Sequence, residues 1–294
     1  MQRRRAMKVT FYGVRGSIAA PGRDTVKYGG NTSCLLVEPD DEVVLIFDAG
    51  TGIRELGKLL ESDSRDIYLL FSHHHWDHIQ GLPFFKPIYQ QGRNIYLLSN
   101  YMDKGSETTV LDQMIDPHFP ITGAELLANI EVLPFDERGA VKIGSARVSS
   151  IPLNHPGGGS AYRVERANST LAYITDNELS PPGEVKTSYA EWVEFVRGVD
   201  LLIHDAMYLD KELPQIHGWG HSLISQALQL GLDAEVKHMV LFHHDPSRTD
   251  LQLDQILADS REWMAQHTEN TEVFLAAEGD SYQLTRSKSQ IRSK

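Results

Sequence analysis

Cysteine, positive charge and long apolar runs are all scarce in this sequence of 294 residues. The one cysteine, Cys34, lies in a predicted strand, so no internal disulfide can form, and no basic neighbour indicates an activated thiolate. The apolar runs are too short to cross a bilayer, and the basic start lacks the apolar segment of a signal peptide. We therefore expect a cytoplasmic protein without a membrane anchor.

Positive charge is outweighed, since Lys and Arg total 28 against 40 Asp and Glu, which gives a net charge of -12. Such a surface has no general attraction for nucleic acid or for anionic membranes. An anionic substrate would need local positive charge, which bound divalent cations could supply. The charge balance therefore predicts a small-molecule substrate and argues against a long nucleic acid as partner.

Linkers are also missing, because no low-complexity segment or charge block divides the chain. The hydrophobic content of 41% is ample for a large buried core. We predict a single domain over residues 1–294. Within it, the irregular stretch of residues 100–129 could form a cap or lid, and the polar tail 285–294 is expected to be frayed.

The most informative stretch is Ser72 to His78, which directly follows the apolar run Asp66 to Phe71. That run is short and rich in branched and aromatic residues, which predicts a buried strand. Divalent metals of intermediate softness bind imidazole and carboxylate together, so two neighbouring ions could be held at its end. A solvated polar turn is the alternative, and the density of ligand-type side chains argues against it. These side chains are His73, His75, Asp77 and His78.

The pattern His-x-His-x-Asp-His resembles the signature of the metallo-β-lactamase superfamily, and Asp48-Ala49-Gly50 is similar to the Asp-x-Gly turn that precedes it. The similarity extends from about Val9 to Leu284. It implies an α/β fold, the αβ/βα four-layer sandwich of two mixed β-sheets flanked by helices. It also implies two divalent ions, with zinc as the first choice and manganese as the alternative. The implied ligands are His73, His75 and His155 for the first ion, Asp77, His78 and His243 for the second, and Asp176 as a bridge.

Further residues are similar to the phosphodiesterase-like branch of this superfamily, which includes ribonuclease Z. Asp176 comes 21 residues after His155, where the β-lactamases proper carry a cysteine, and this departure argues against β-lactamase activity. Asp205 and His221 resemble an acidic residue and a histidine of ribonuclease Z. The carboxylate would orient the imidazole and raise its pKa, so that it can protonate a leaving alkoxide. The resemblance also implies substrate contacts at Arg15, Asn31 and Phe119.

Together these features predict a dinuclear metal-dependent hydrolase of phosphoric esters, with Asp77, Asp205 and His221 as catalytic residues. The favoured substrate is a small or cyclic nucleotide-type diester, attacked by a metal-bridging hydroxide, because no basic RNA-holding arm is visible in the sequence. One alternative is a lactone or thioester hydrolase on the same metal site, and another is a non-enzymatic binding protein. His244 could replace His243 if the strand register slips by one, and a homodimer is left open.

Overall fold

The computed structural model describes residues 6–99, 110–136, 138–285 and 290–292. The strands of these residues form two sheets. In chain order they are β1 (Met7–Gly13), β2 (Cys34–Glu38), β3 (Val43–Phe47), β4 (Asp66–Leu70), β5 (Asn94–Leu98), β6 (Asn129–Val132), β7 (Ala140–Ile143), β8 (Ala146–Pro152), β9 (Ser160–Arg166), β10 (Ser169–Ile174), β11 (Leu201–Asp205), β12 (His238–Phe242), β13 (Glu272–Leu275), β14 (Ser281–Leu284) and β15 (Gln290–Arg292).

Each sheet combines antiparallel and parallel strands. The first has eight strands in the order β15-β14-β1-β2-β3-β4-β5-β6, and its strands are parallel from β3 to β6. The second has seven in the order β13-β12-β11-β10-β9-β8-β7, and its strands are parallel from β10 to β13. The helices are α1 (Ile53–Leu60), α2 (Trp76–Ile79), α3 (Tyr189–Val196), α4 (Leu213–Ile216), α5 (Ile224–Asp233) and α6 (Asp250–His267).

Three apolar clusters hold these layers together. The first lies between the sheets and includes Phe47 of one and Tyr173 of the other, with ring centroids 5.4 Å apart. The second packs α3, α5 and α6 on the outer face of the second sheet, and the third packs α1 on the outer face of the first. Parallel strands covered on both faces are continuously apolar, as all five residues of β3 are. The predicted four-layer α/β sandwich is therefore confirmed.

Local details differ from what the sequence pattern predicts. The apolar spacing of residues 53–60 predicts that Leu59 lies on the inner face of α1, but Leu59 is 60% exposed, because the helical period places Gly57 there instead, against Phe85. The helix after the histidine motif is only four residues long, and Asp77 lies inside it and does not cap it. Gly81 and Pro83 follow, and the chain continues in short 3-10 turns.

The lid and tail predictions fall partly on residues 100–109, 286–289 and 293–294, which lie outside the described residues. Residues 110–128 form turns and one short 3-10 helix, Gly123–Glu125. In the tail, β15 pairs with β14, so this part of the expected frayed end adds a strand. No helix in the described ranges is long and apolar enough to span a bilayer.

The parallel strands bring the polar residues together. Parallel neighbours end at the same edge of a sheet, so the residues that follow β3 and β4 meet. The same holds for the residues after β10, β11 and β12 in the second sheet. With the two sheets packed face to face, both sets of strand ends contribute to one site.

Candidate metal centre

Three imidazoles and one carboxylate form the first ligand group. The Nε2 atom of His155 lies 3.1 Å from Nδ1 of His75. The Oδ2 atom of Asp176 lies 3.5 Å from Nε2 of His73 and 3.9 Å from Nε2 of His155. All four ligand atoms lie within 4.8 Å of one another. This spacing suits imidazoles arranged around one cation.

A second group adjoins the first and shares Asp176. Its Oδ1 atom lies 3.1 Å from Nε2 of His78 and 3.1 Å from Nε2 of His243. Oδ2 of Asp77 lies 3.2 Å from the same two nitrogens. Asp176 therefore presents one carboxylate oxygen to each group, which is the arrangement a bridging ligand requires.

These residues fit two cations. The Nε2 atoms of His73 and His78 are buried without a hydrogen-bond partner in the structure. The ion pairs that the structure contains for Asp77 and Asp176 are all with imidazoles. Buried lone pairs and buried negative charge are costly unless a cation compensates them. The two groups are therefore suited to a dinuclear metal site, whose metal the geometry does not specify.

Asp48 supports the site from behind. Its Oδ1 accepts the backbone N–H of Ser72 at 2.7 Å. Its Oδ2 accepts Nδ1–H of His78 at 2.9 Å, the hydroxyl of Tyr173 at 2.7 Å and that of Ser72 at 2.9 Å. With Nδ1 of His78 held in this way, Nε2 keeps its lone pair for the second group. A carboxylate behind a ligand histidine fixes its tautomer and orientation.

Replacing Asp48 with asparagine should weaken binding of the ion at His78 by about 10- to 100-fold, because the amide loses the charge and one acceptor oxygen. Metal titration against a competing chelator would measure this. Tyr173→Phe is the matched control: it removes one bond to the same oxygen and should have a smaller effect. Unchanged metal affinity in a folded Asp48→Asn protein would contradict the orienting role.

His155 is oriented by a different segment. Its Nδ1–H donates to the backbone carbonyl of Gly220 at 3.0 Å, which leaves the Nε2 lone pair directed into the first group. Burial lowers the pKa of His155 to about 4, so the imidazole is neutral at pH 7. Neutral imidazole is the form that binds metal.

Backbone bends at the strand ends place several site residues. Asp48, Asp176 and His243 adopt positive φ angles of 60°, 49° and 60°. Non-glycine residues in this region are uncommon and cluster at functional sites. Gly16 lies under the ring of His243, where a Cβ would come within 2.5 Å of the imidazole. The glycine-rich loop after β1 thus borders the site.

One contact of that loop was missed by the sequence interpretation. The backbone N–H of Ser17 donates to Oδ2 of Asp77 at 2.7 Å. Ser17 itself has a φ of 60°. Every residue except proline carries a backbone N–H, so the residue type does not identify such a donor. The only hint in the sequence was the Gly16-Ser17 pair in a loop.

Asp205 and His221 meet beside both ligand groups. Nδ1–H of His221 donates to Oδ2 of Asp205 at 2.9 Å, and Asp205 is fully buried. The His221 ring stacks on His243 with centroids 5.1 Å apart and lies edge-on to His155 at 5.5 Å. Burial lowers the pKa of His221. The carboxylate of Asp205 and more distant carboxylates raise the pKa by more than burial lowers it, so that it is about 9. Asp205, His221 and His243 are also close enough to hold an ion, so a ligand role for His221 is the alternative.

The three expected substrate contacts lie in different environments. Arg15 is fully buried, and its guanidinium donates to the carbonyls of Gly29 and Arg248 at 2.8 Å and 2.7 Å, so its role as a substrate contact stays a prediction. The amide of Asn31 donates to Glu278 at 2.9 Å. From the sequence, only the glycines of the surrounding loops were visible. The contacts of Arg15 with residue 248 and of Asn31 with Glu278 join distant segments and could not be predicted from it.

Phe119 packs edge-on against Phe84 with ring centroids 5.7 Å apart. Its role as a substrate contact remains a prediction, as does that of Asn31. His244 is turned away from the ligands, since its Nε2 bonds to the carbonyl of Ala276 at 2.9 Å. Burial lowers its pKa to about 3. His243, and not its neighbour, therefore lies in the second group.

The comparison with known proteins places this geometry in a family. The chain matches the Beta-lactamase superfamily domain over residues 44–244. Ribonuclease Z of Picrophilus torridus is 24% identical over 286 residues, covering 84% of this chain and 88% of the relative. Ribonuclease Z of Thermoplasma acidophilum is 25% identical over 306 residues, covering 87% and 91%.

Solved structures agree on the fold. The metallo-beta-lactamase fold protein YhfI from Bacillus subtilis has a TM-score of 0.67 at 16% identity, covering 94% of this chain and 99% of the other. Human tRNase Z, short form, has a TM-score of 0.63 at 20% identity, covering 95% and 100%. At these identities the likeness shows the fold alone.

These relatives correct one expectation. Proteins that align with more than four-fifths of the chain are ribonucleases by name, which contradicts the prediction that a long nucleic acid is an improbable partner. The prediction failed because net charge sums over the whole surface and says little about the field at one site. The family match covers most of the chain and agrees with the two ligand groups. This chain therefore belongs to the beta-lactamase superfamily and is a metal-dependent hydrolase.

Proposed function

We propose that this chain hydrolyses phosphodiester bonds in RNA at a site holding two divalent ions, zinc being the first choice. The ribonuclease Z relatives support the substrate class, and the human structural neighbour is a tRNase by name. The observation that carries the proposal is the Asp205–His221 pair, bonded at 2.9 Å and stacked against the ligand groups. A general acid beside a metal site suits phosphodiester hydrolysis, because the alkoxide is a poor leaving group unless it is protonated.

The chain's own residues divide the work in this proposal. Two bound ions would supply positive charge to the phosphoryl oxygens and lower the pKa of a water molecule. Asp176, with one carboxylate oxygen in each ligand group, would hold the two ions close together, and Asp77 would add a second carboxylate to the second group. Asp205 keeps Nδ1 of His221 engaged, so His221 gives the leaving alkoxide its Nε2 proton.

The donor set supports the choice of metals. The first group offers three imidazole nitrogens and one carboxylate oxygen, a combination typical of zinc. The second offers two carboxylates and two imidazoles, which manganese also accepts. The shared carboxylate of Asp176 would suit two hard cations better than a thiolate.

Hydrolysis by protein loaded with zinc or manganese tests the proposal. The substrates are a tRNA transcript with a 3′ extension, the same sequence as DNA, a lactone and a thioester. We expect cleavage of the RNA, no cleavage by metal-depleted protein, and no cleavage by Asp176→Ala prepared in parallel, which controls for a contaminating nuclease. Turnover of the lactone or thioester without RNA cleavage would overturn the phosphodiesterase assignment and favour a carbonyl-ester hydrolase.

A further inference from the structure

Trp219 is a large apolar side chain exposed at the edge of the metal centre. Its side chain is 60% exposed, whereas Trp192 is fully buried. A single exposed aromatic residue is ordinary on a protein surface and by itself indicates nothing. Three features of its surroundings set Trp219 apart.

The first is that its backbone is rigidly held. The N–H groups of Gly218 and Gly220 both donate to the carboxylate of Glu178, at 3.0 Å each, and Glu178 is only 3% exposed. The N–H of Trp219 donates to the carbonyl of Ile216 at 3.0 Å. Gly218 and Gly220 have φ angles of 89° and 85°, a conformation that favours glycine. A buried carboxylate thus fixes a short loop whose central side chain is left in solvent.

The second is the link between this loop and the ligands. The carbonyl of Gly220, next to Trp219, is the group that accepts Nδ1–H of His155. A Cβ on Gly220 would come within 2.1 Å of that nitrogen, so the loop packs directly against the ligand imidazole. The backbone of Trp219 is therefore held one residue from the carbonyl that orients His155.

The third is a cleft of about 350 Å³ that His155 and Gly218 both line, together with Pro182. This volume is at the lower end of the range for small-ligand sites. Its charged lining residues are Glu178, Glu184 and Lys186, so it offers no net attraction for a phosphate. A ligand would therefore be held here by uncharged surface: Pro182 and Gly218 line the cleft, and the exposed side chain of Trp219 follows Gly218 directly in the chain.

We propose that Trp219 is the stacking platform for the nucleobase of an RNA nucleotide adjacent to the scissile phosphate, and that the cleft accommodates that nucleotide. The inference rests on the proposed function and deepens it. Stacking on aromatic rings tolerates any base and needs no positive charge, which suits RNA binding by a chain with a net charge of -12. Because Glu178 already holds the loop backbone, binding a base would have to order only the side chain of Trp219, which limits the entropy cost.

The test compares Trp219→Ala, Trp219→Phe and wild type, all metal-loaded, on three RNAs. One RNA is complete, and each of the other two lacks the base of the nucleotide on one side of the cleavage site. For the complete RNA, Trp219→Ala should raise KM about tenfold and leave kcat within about twofold, because one base–aromatic contact is lost. Trp219→Phe should recover most of the affinity. Leu251→Ala, at a residue 79% exposed on α6, is the matched surface control and should match wild type.

For one of the abasic RNAs, wild type and Trp219→Ala should have the same KM, because the partner of the indole is gone. If wild type cleaves RNA while Trp219→Ala has an unchanged KM, the stacking inference is overturned and the proposed function stands. A variant that loses metal or kcat with KM unchanged would give Trp219 a structural role through His155 and would also overturn it. If metal-loaded wild type cleaves no RNA, the proposed function fails and the inference fails with it.

Discussion

Replacing Asp176 with alanine should reduce turnover by about a hundred- to a thousandfold or more, the range expected when an electrostatic stabiliser is removed from a reaction centre. Among the described residues, Asp176 is the one whose two carboxylate oxygens lie in different ligand groups, 3.5 Å from His73 and 3.1 Å from His78. Its loss removes an anionic ligand from both groups at once. Metal content should therefore fall below the wild-type value, which we expect to be about two ions per chain.

Mass-spectrometric metal analysis and hydrolysis of bis(p-nitrophenyl) phosphate would measure both effects. Asp176 has a φ of 49°, a conformation that alanine tolerates less well than asparagine does. Asp176→Asn therefore separates loss of charge from backbone strain, and it should still lose most activity. Asp259→Ala, an exposed carboxylate on α6, is the neutral control. Full metal content and full turnover in both Asp176 variants would refute the bridging role.

Replacing His221 with alanine should lower kcat for RNA by about 10²- to 10⁴-fold, the usual contribution of a general acid. The effect should be much smaller for bis(p-nitrophenyl) phosphate, because p-nitrophenolate leaves without being protonated. Metal content should be unchanged, since His221 is bonded to Asp205 and lies beside the two ligand groups. Comparing kcat on the two substrates measures the assistance given to the leaving group.

His267→Ala, an exposed histidine on α6, is the matched control. Asp205→Asn should produce a milder form of the same substrate dependence, because the amide orients the imidazole without supplying its charge. A loss of metal in His221→Ala would make the residue a ligand of the neighbouring Asp205–His221–His243 group. An equal loss of kcat on both substrates would also count against the general acid.

Many of the metal ligands could be predicted because they are close together in the sequence, directly after a predicted strand. His73, His75, Asp77 and His78 follow one apolar strand within a few residues, so their proximity needs no knowledge of the fold. The family resemblance extended this to His155, Asp176 and His243, and the structure brings all seven together. Their roles as ligands remain predictions until metal is measured.

Other features were beyond the sequence because they depend on contacts between distant segments. Arg15 had the residue type of an anion contact, yet the fold buries it against carbonyls of residues 29 and 248. Asp77 receives a main-chain N–H from Ser17, 60 residues away. The charge-based argument against RNA failed for a related reason. Composition gives the net charge of the whole surface but not where the charges lie around the site.

By itself the sequence indicated several buried strands and the residue types at their ends, because apolar runs are short-range properties of the chain. The four-layer architecture followed from the resemblance of its motifs to the metallo-β-lactamase superfamily. Only the tertiary structure decided which oxygen of Asp176 lies in which group, that Asp48 supports His78, and that a buried Glu178 holds the loop of Trp219 beside His155. These relations arise when two sheets pack face to face, because a contact between residues far apart in sequence exists only once the layers between them are fixed.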